Sequence, residues 1–154
     1  LLVSELSIMV GFHGHNNLGL AVANSVAAAN AGATLLDATA RGFGAGAGNT
    51  QLEVLIAVLQ RLDFETGIDF YKILDAADLA EKNLMAEIPT IKSVSVVSGM
   101  AGVFSGFMRP VNRIAEEFKL DPRDIFFELG KRKIVAGQED IILEVAKYLS
   151  QRVK

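Results

Sequence analysis

The chain's two histidines stand one residue apart, His13 and His15 in "GFHGH" at residues 11–15. They close the run "SIMVGFH", whose apolar residues ending in Gly and polar groups read as a strand covered on both faces. Residues two apart on a strand point to one face, so the spacing predicts two imidazoles side by side with Gly14 turned away. Both fall at the C-terminal end of that strand, where α/β folds place their active sites. Neutral imidazole is the commonest metal-ligating side chain. The chain has no Cys, so any remaining ligands would be oxygen, which favours Mg, Mn or a borderline divalent ion. The same spacing equally describes two polar strand-end residues that bond to nearby loops.

A second stretch with chemical potential is "RGFGAGAGN", Arg41 to Asn49, with glycines at 42, 44, 46 and 48. Such a segment lets backbone approach a ligand closely and exposes amides at the start of a helix, where anions are favoured. It has neither the dinucleotide-binding glycine spacing nor the lysine of a phosphate-binding loop, so no nucleotide site is read. A flexible loop with glycines for tight packing is the competing reading. Asn49 could complete an oxygen-rich metal sphere or cap the following helix, and capping is the simpler role on spacing. Arg41 is a weaker candidate for the site and reads more simply as a solvated arginine. Asp37 reads as a strand-end charge or as a partner behind a ligand.

The elements that would hold these residues alternate. After the first strand, "NNLGLAVANSVAAANAG" carries Leu18, Val22, Val26 and Ala29 at helical spacing, with Asn16 or Asn17 as N-cap and Gly32 as a stop. A second strand, "ATLLDATA", follows. The helix "TQLEVLIAVLQRL" then opens on a capping box of Thr50 and Glu53 and carries a stripe of Leu52, Leu55, Ile56 and Leu59. This is βαβα, the grammar of a parallel sheet.

From about Thr66 only helices are predicted, roughly four of them. Phe70, Ile73, Leu74 and Ala77 share one face of the first. A long stripe then runs through Met100, Val103, Phe104, Phe107, Val111, Ile114 and Phe118, with Pro110 expected to kink or split it. Asp121 and Pro122 suit an N-cap and first helical residue, Gly130 suits a stop, and Ile141, Ile142, Val145 and Leu149 mark a last helix.

Composition narrows the function classes. A hydrophobic content of 51% excludes a disordered chain. Net charge is −3 with scattered basic residues, which argues against nucleic acid. The absence of Cys makes an intracellular, cytoplasmic protein the default, and the short, interrupted apolar runs predict no membrane span. The chain opens "LLVSELS" without Met, which suits a fragment or a processed product.

Taken together, "GFHGHNNLGLAVANS" and "RGFGAGAGNTQLEV" resemble the C-terminal part of the metal-dependent aldolase and acyltransferase barrels, the superfamily of isopropylmalate synthase and 4-hydroxy-2-oxovalerate aldolase. The resemblance implies that His13 and His15 are two metal ligands and that Asn49 lies in or beside the metal sphere. It places Gly44, Gly46, Gly48 and Met100 at the substrate pocket. "GAGAGN" is similar to the aldolase branch; the synthases usually carry a Glu-Arg pair in that loop and His-Asn-Asp where this chain has "HNN". The helical half, with "SGMAGVFSGF" and "ELGKRKIVAGQED", resembles the aldolase's communication domain, which docks an acylating aldehyde dehydrogenase.

The resemblance therefore implies an α/β fold, the C-terminal portion of a (β/α)8 TIM barrel over residues 1–65, followed by an all-helical partner-docking domain over 66–154. It implies a carbon-carbon lyase of aromatic hydrocarbon catabolism that cleaves 4-hydroxy-2-oxo acids to pyruvate and a short aldehyde. The implied cofactor is a divalent metal, Mn first and Mg or Co as alternatives. Met100 stands where these aldolases commonly have Tyr, which removes a hydrogen bond expected there. The metal-binding Asp, an enolate-stabilising Arg and the His base belong to the N-terminal half, so the catalytic residues are expected upstream and the chain alone is expected to be inactive and oligomeric. The alternatives are an acyl-CoA condensing enzyme of the isopropylmalate synthase type and a non-catalytic helical binding or assembly module.

Overall fold

The computed structural model describes residues 1–152. The chain forms two compact units, Leu1–Thr90 and Ile91–Lys154. No described helix is long and apolar enough to cross a membrane.

The first unit opens with a short helix α1 (Leu2–Glu5) and strand β1 (Gly11–His13), continues through helix α2 (Ala21–Asn30) and strand β2 (Leu35–Asp37), and ends with helices α3 (Leu52–Arg61) and α4 (Phe70–Leu84). A single 3-10 turn at Ala40–Gly42 follows β2. The two strands run parallel, with Gly11 opposite Leu35, Phe12 opposite Leu36 and His13 opposite Asp37. Their connection is a helix, as parallel strands require. The strand predicted over "SIMVGFH" is thus realised only at its end. Ile8 and Met9 are 71% and 80% exposed, because among the described residues β1 has a ladder partner on one side alone.

Helix α2 departs from the expected stripe. Its buried residues are Ala21 and Ser25, whereas Leu18 precedes the helix and is exposed. Asn16 does serve the helix start, its Oδ1 accepting the Ala21 N–H at 3.3 Å, and Gly32 ends it at φ +94°. The capping box at α3 does not form. Thr50 is fully buried one residue before the N-cap, Gln51, and Glu53 pairs with Arg41 instead. Helix α4, N-capped by Asp69 onto the Lys72 N–H, packs against α3 and the 3-10 turn, burying Ala77. The change to helical grammar near residue 66 therefore precedes the break between the compact units by a whole helix.

The second unit holds α5 (Ser93–Ala101), a 3-10 turn (Ser105–Phe107), α6 (Met108–Phe118), α7 (Pro122–Lys131) and α8 (Asp140–Ser150). With α4, five helices follow Thr66 among the described residues, where four were expected. Val111, Ile125, Phe126, Leu129, Ile142 and Val145 form its fully buried centre. Truncating Phe126 to Ala would cost about 3–5 kcal/mol on this burial. The long stripe is interrupted at Gly102, which ends α5 in the left-handed region at φ +66°. Pro110 neither kinks nor splits a helix. It lies in the first turn of α6, where no backbone N–H is needed. Gly130 is not a stop either, because α7 continues to Lys131. A Cβ at Gly130 would lie 2.4 Å from the Ala101 carbonyl oxygen, so this glycine lets α7 approach the end of α5.

Candidate metal centre

The C-terminal ends of β1 and β2 are joined by the segment that ends the glycine run. The Thr50 N–H donates to the Gly14 carbonyl at 2.9 Å, and the Thr39 N–H donates to the Thr50 carbonyl at 3.0 Å. His15 pairs with Asn49 in an antiparallel bridge, and Thr39 pairs with Gln51 in a parallel one. Asn49 to Gln51 are therefore wedged between the strand ends, satisfied on both sides.

Side chains reinforce this wedge. The buried Thr50 hydroxyl donates to the Gly14 carbonyl at 3.3 Å and lies 3.1 Å from the Ser25 hydroxyl, which itself donates to the Ala21 carbonyl at 2.9 Å. Gly14 is required at the centre of "HGH", since a Cβ there would lie 2.8 Å from the Thr50 hydroxyl. Thr50 was read only as a capping residue and Ser25 was missed, because small hydroxyl residues next to a cap or inside an Ala-rich helix carry no periodic signal.

The imidazoles come together as the spacing predicts. Their ring centroids lie 4.9 Å apart with planes at 80°, so the rings meet edge to face. His13 Nδ1 lies 2.7 Å from Asp37 Oδ2 across the ladder. An ionised carboxylate only accepts, so Nδ1 is the donor of this bond and Nε2 is the nitrogen left to face a ligand. That is the carboxylate–imidazole pairing that orients metal-ligating histidines. His15 is kept neutral by partial burial and, secondarily, by the neighbouring His13, both of which lower its pKa.

Asn49 does not cap α3. Its Nδ2 donates to the Phe43 carbonyl at 3.1 Å, and its Oδ1 is buried with no hydrogen-bond partner. Reversing the amide would set two carbonyl oxygens against each other, so the orientation follows from the contact. An unpaired buried oxygen costs about 1–3 kcal/mol, and a cation would relieve that cost. Two imidazoles and an orphaned amide oxygen fit a divalent ion in their donor chemistry. Among the described residues no three His, Asp or Glu side chains gather as a metal-binding set.

The glycine loop holds Asn49 closely. A Cβ at Gly44 would lie 2.4 Å from Asn49 Nδ2, and one at Gly48, at φ +87°, would lie 2.2 Å from the Gly42 carbonyl. Gly46 is also left-handed, at φ +67°. Met100 belongs to the other compact unit, in the last turn of α5, and is 69% exposed.

Arg41 is not a solvated arginine. Its N–H donates to Glu53 Oε2 at 3.1 Å, its Nη1 to Glu53 Oε1 at 3.2 Å, its Nε to Glu81 Oε2 at 2.8 Å, and its Nη2 to Asp78. Its backbone is left-handed at φ +51°, a conformation that costs a non-glycine residue about 1–2 kcal/mol. Glu53 is buried and finds its charge partner here. The partners sit 12, 37 and 40 residues along the chain, a spacing that no local pattern reveals.

The HMGL-like family profile matches residues 1–80, just over half of the chain. The chain belongs to the HMGL-like family. A DmpG-like communication domain matches residues 89–151. The HMGL-like chain is 64% identical over 98% of its length to a 4-hydroxy-2-oxovalerate aldolase of Pectobacterium atrosepticum, covering 44% of that protein. It is 68% identical over 95% of its length to one of Streptomyces tendae, covering 41%. It thus spans less than half the length of these curated relatives. Among solved structures, the N-terminal domain of a putative aldolase from Bacteroides vulgatus is 29% identical with a TM-score of 0.54, over 73% of this chain and 36% of that one. The carboxyl transferase domain of Rhizobium etli pyruvate carboxylase aligns over 98% of this chain and 28% of its own, at 17% identity and a TM-score of 0.73. The fold class is that read from the sequence: α/β, the C-terminal portion of a TIM-type barrel followed by a helical domain.

Proposed function

We propose that the chain contributes His13, His15 and Asn49 to the centre of a divalent-metal-dependent aldolase that cleaves 4-hydroxy-2-oxo acids to pyruvate and a short aldehyde. The observation that carries this reading is the HGH tripeptide, its two imidazoles held together beside the orphaned Asn49 oxygen, in a chain more than 60% identical to 4-hydroxy-2-oxovalerate aldolases. A divalent ion, Mn in our reading with Mg or Co as alternatives, would stabilise the negative charge that develops on the 2-oxo acid as the carbon-carbon bond breaks. The chain's own part is preorganisation. Asp37 fixes the tautomer of His13, burial keeps His15 neutral, the Thr50–Ser25 pair holds the strand end, and Gly44, Gly46 and Gly48 let the loop close around Asn49.

The helical region within 66–154 serves, in this reading, to dock an acylating aldehyde dehydrogenase. The communication-domain match supports this assignment. We place the protein in the cytoplasm, as an oligomer acting in aromatic hydrocarbon catabolism.

Pyruvate release from 4-hydroxy-2-oxopentanoate tests the reading. The chain joined to the N-terminal half that its relatives carry should turn over, and should lose activity on chelation or on His13→Ala or His15→Ala. Undiminished turnover after thorough chelation would overturn it. The chain alone should be inactive, because two βα units cannot surround a metal and its substrate.

A further inference from the structure

We infer that Arg41 is a positioning residue for the metal centre, acting through the glycine loop on Asn49; this rests on the metal reading above. Arg41 lies where β2 gives way to the loop, and three carboxylates from two helices hold it: Glu53 of α3 and Asp78 and Glu81 of α4. Glu53 takes both the backbone N–H and the guanidinium of Arg41, so the residue is fixed in position and in backbone conformation together. The next two residues are the ones that hold Asn49. The Gly42 carbonyl accepts the Asn49 N–H at 2.8 Å, and the Phe43 carbonyl accepts the Asn49 Nδ2 at 3.1 Å.

Arg41 thus sets the direction in which the loop leaves β2, and the loop sets where the Asn49 oxygen points. The left-handed backbone at Arg41 shows that the clasp imposes this direction, since the residue's intrinsic preference opposes it. Glycine would adopt that φ freely, keep only the backbone N–H bond to Glu53 and forfeit every guanidinium contact. The arrangement is fixed by geometry and charge within the first compact unit.

The inference is tested on the full-length protein by Mn2+ dissociation constants, read from the electron paramagnetic resonance signal of the free ion. Arg41→Met, which keeps the apolar stem and removes the charge, should weaken Mn2+ binding about tenfold, the scale of losing an outer partner of a metal ligand. Glu53→Gln should weaken it in the same direction and covers the case in which Arg41→Met fails to fold. A purely structural role would add its effect to any background. Positioning through Asn49 should instead make Arg41→Met nearly silent once Asn49→Ala is present. Unchanged affinity in folded Arg41→Met, or the same loss with and without Asn49, would overturn the inference while leaving the metal reading intact. Unchanged affinity in His13→Ala would overturn the metal reading, and this inference with it.

Discussion

Asp37 Oδ2 lies 2.7 Å from His13 Nδ1, directly across the two-stranded ladder from it. The contact is more than half exposed on the Asp37 side, so it adds little to stability. Its effect is on the imidazole: Nδ1 is committed as a donor and Nε2 is left to bind. Asp37→Asn should lower Mn2+ affinity of the full-length protein about 10–100-fold. The urea midpoint should move little. Calorimetric titration checks the first and circular dichroism the second. An affinity equal to wild type would show that the pair has no bearing on metal binding.

Gly44 has space for a hydrogen and nothing larger, because a Cβ would stand 2.4 Å from Asn49 Nδ2. Gly44→Ala should push the amide off the Phe43 carbonyl and turn its oxygen out of place. We expect metal affinity to drop about tenfold, the scale of disturbing a group that orients the metal site. Gly67→Ala is the comparison: no atom lies within 4 Å of its Cβ, so it meets only the backbone penalty of its φ of +67°, whereas Gly44 is not left-handed and meets only the clash with Asn49. If both substitutions lower metal affinity alike, the loss is not specific to Asn49.

Thr50 closes the wedge between the strand ends with its hydroxyl between Gly14 and Ser25. Thr50→Val keeps the shape and removes the hydroxyl's contacts with the Gly14 carbonyl and the Ser25 hydroxyl in a fully buried place. The expected loss is about 1–3 kcal/mol in urea unfolding. A smaller loss in Thr50→Ser than in Thr50→Val would tie the effect to the hydroxyl rather than to packing.

The sequence carried the strand–helix alternation and the paired histidines because both are local patterns, set by a period of two or 3.6 residues. Pro110 and Gly130 were misjudged because each residue type has two meanings. Proline is harmless in a first turn, and glycine marks a close approach as readily as a stop. The Arg41 clasp was invisible for a different reason: charge pairing between residues 12 to 40 apart depends on which helix faces pack, and periodicity says nothing of that. The Asn49 contacts likewise follow from loop conformation, in which glycines at positive φ decide the path.

Gly130 and Ala101 meet so closely that a Cβ on Gly130 would sit 2.4 Å from the Ala101 carbonyl oxygen and 3.0 Å from its Cβ. Backbone cannot yield cheaply there. Although alanine is the better helix former by about 1 kcal/mol, Gly130→Ala should destabilise the helical unit by about 1–3 kcal/mol as α5 and α7 are forced apart. Thermal unfolding of the variant should show a lower midpoint. A higher one would mean that helix propensity dominates and that the contact relaxes.

Asp121 caps α7, its Oδ1 accepting the Arg123 N–H at 2.9 Å while its carboxylate also pairs with the Arg123 guanidinium. The side-chain hydrogen bond from Arg123, followed by the backbone one, holds its pKa down from 3.8 to about 2. A carboxylate depressed on folding contributes stability that is complete above its unfolded pKa and is lost as pH falls through the folded one. The window here is therefore from about pH 4 down to about pH 2. Because the pair is exposed and screened, its contribution should be about 1 kcal/mol or less. Asp121→Asn keeps an acceptor for the Arg123 N–H but does not titrate, so the difference in unfolding free energy between wild type and variant should shrink from pH 5 to pH 2. Asp121→Ala should lose the cap itself, about 1 kcal/mol at pH 7. A wild-type-to-Asn difference that stays constant over that range would show that the carboxylate's charge is not what stabilises the helix start.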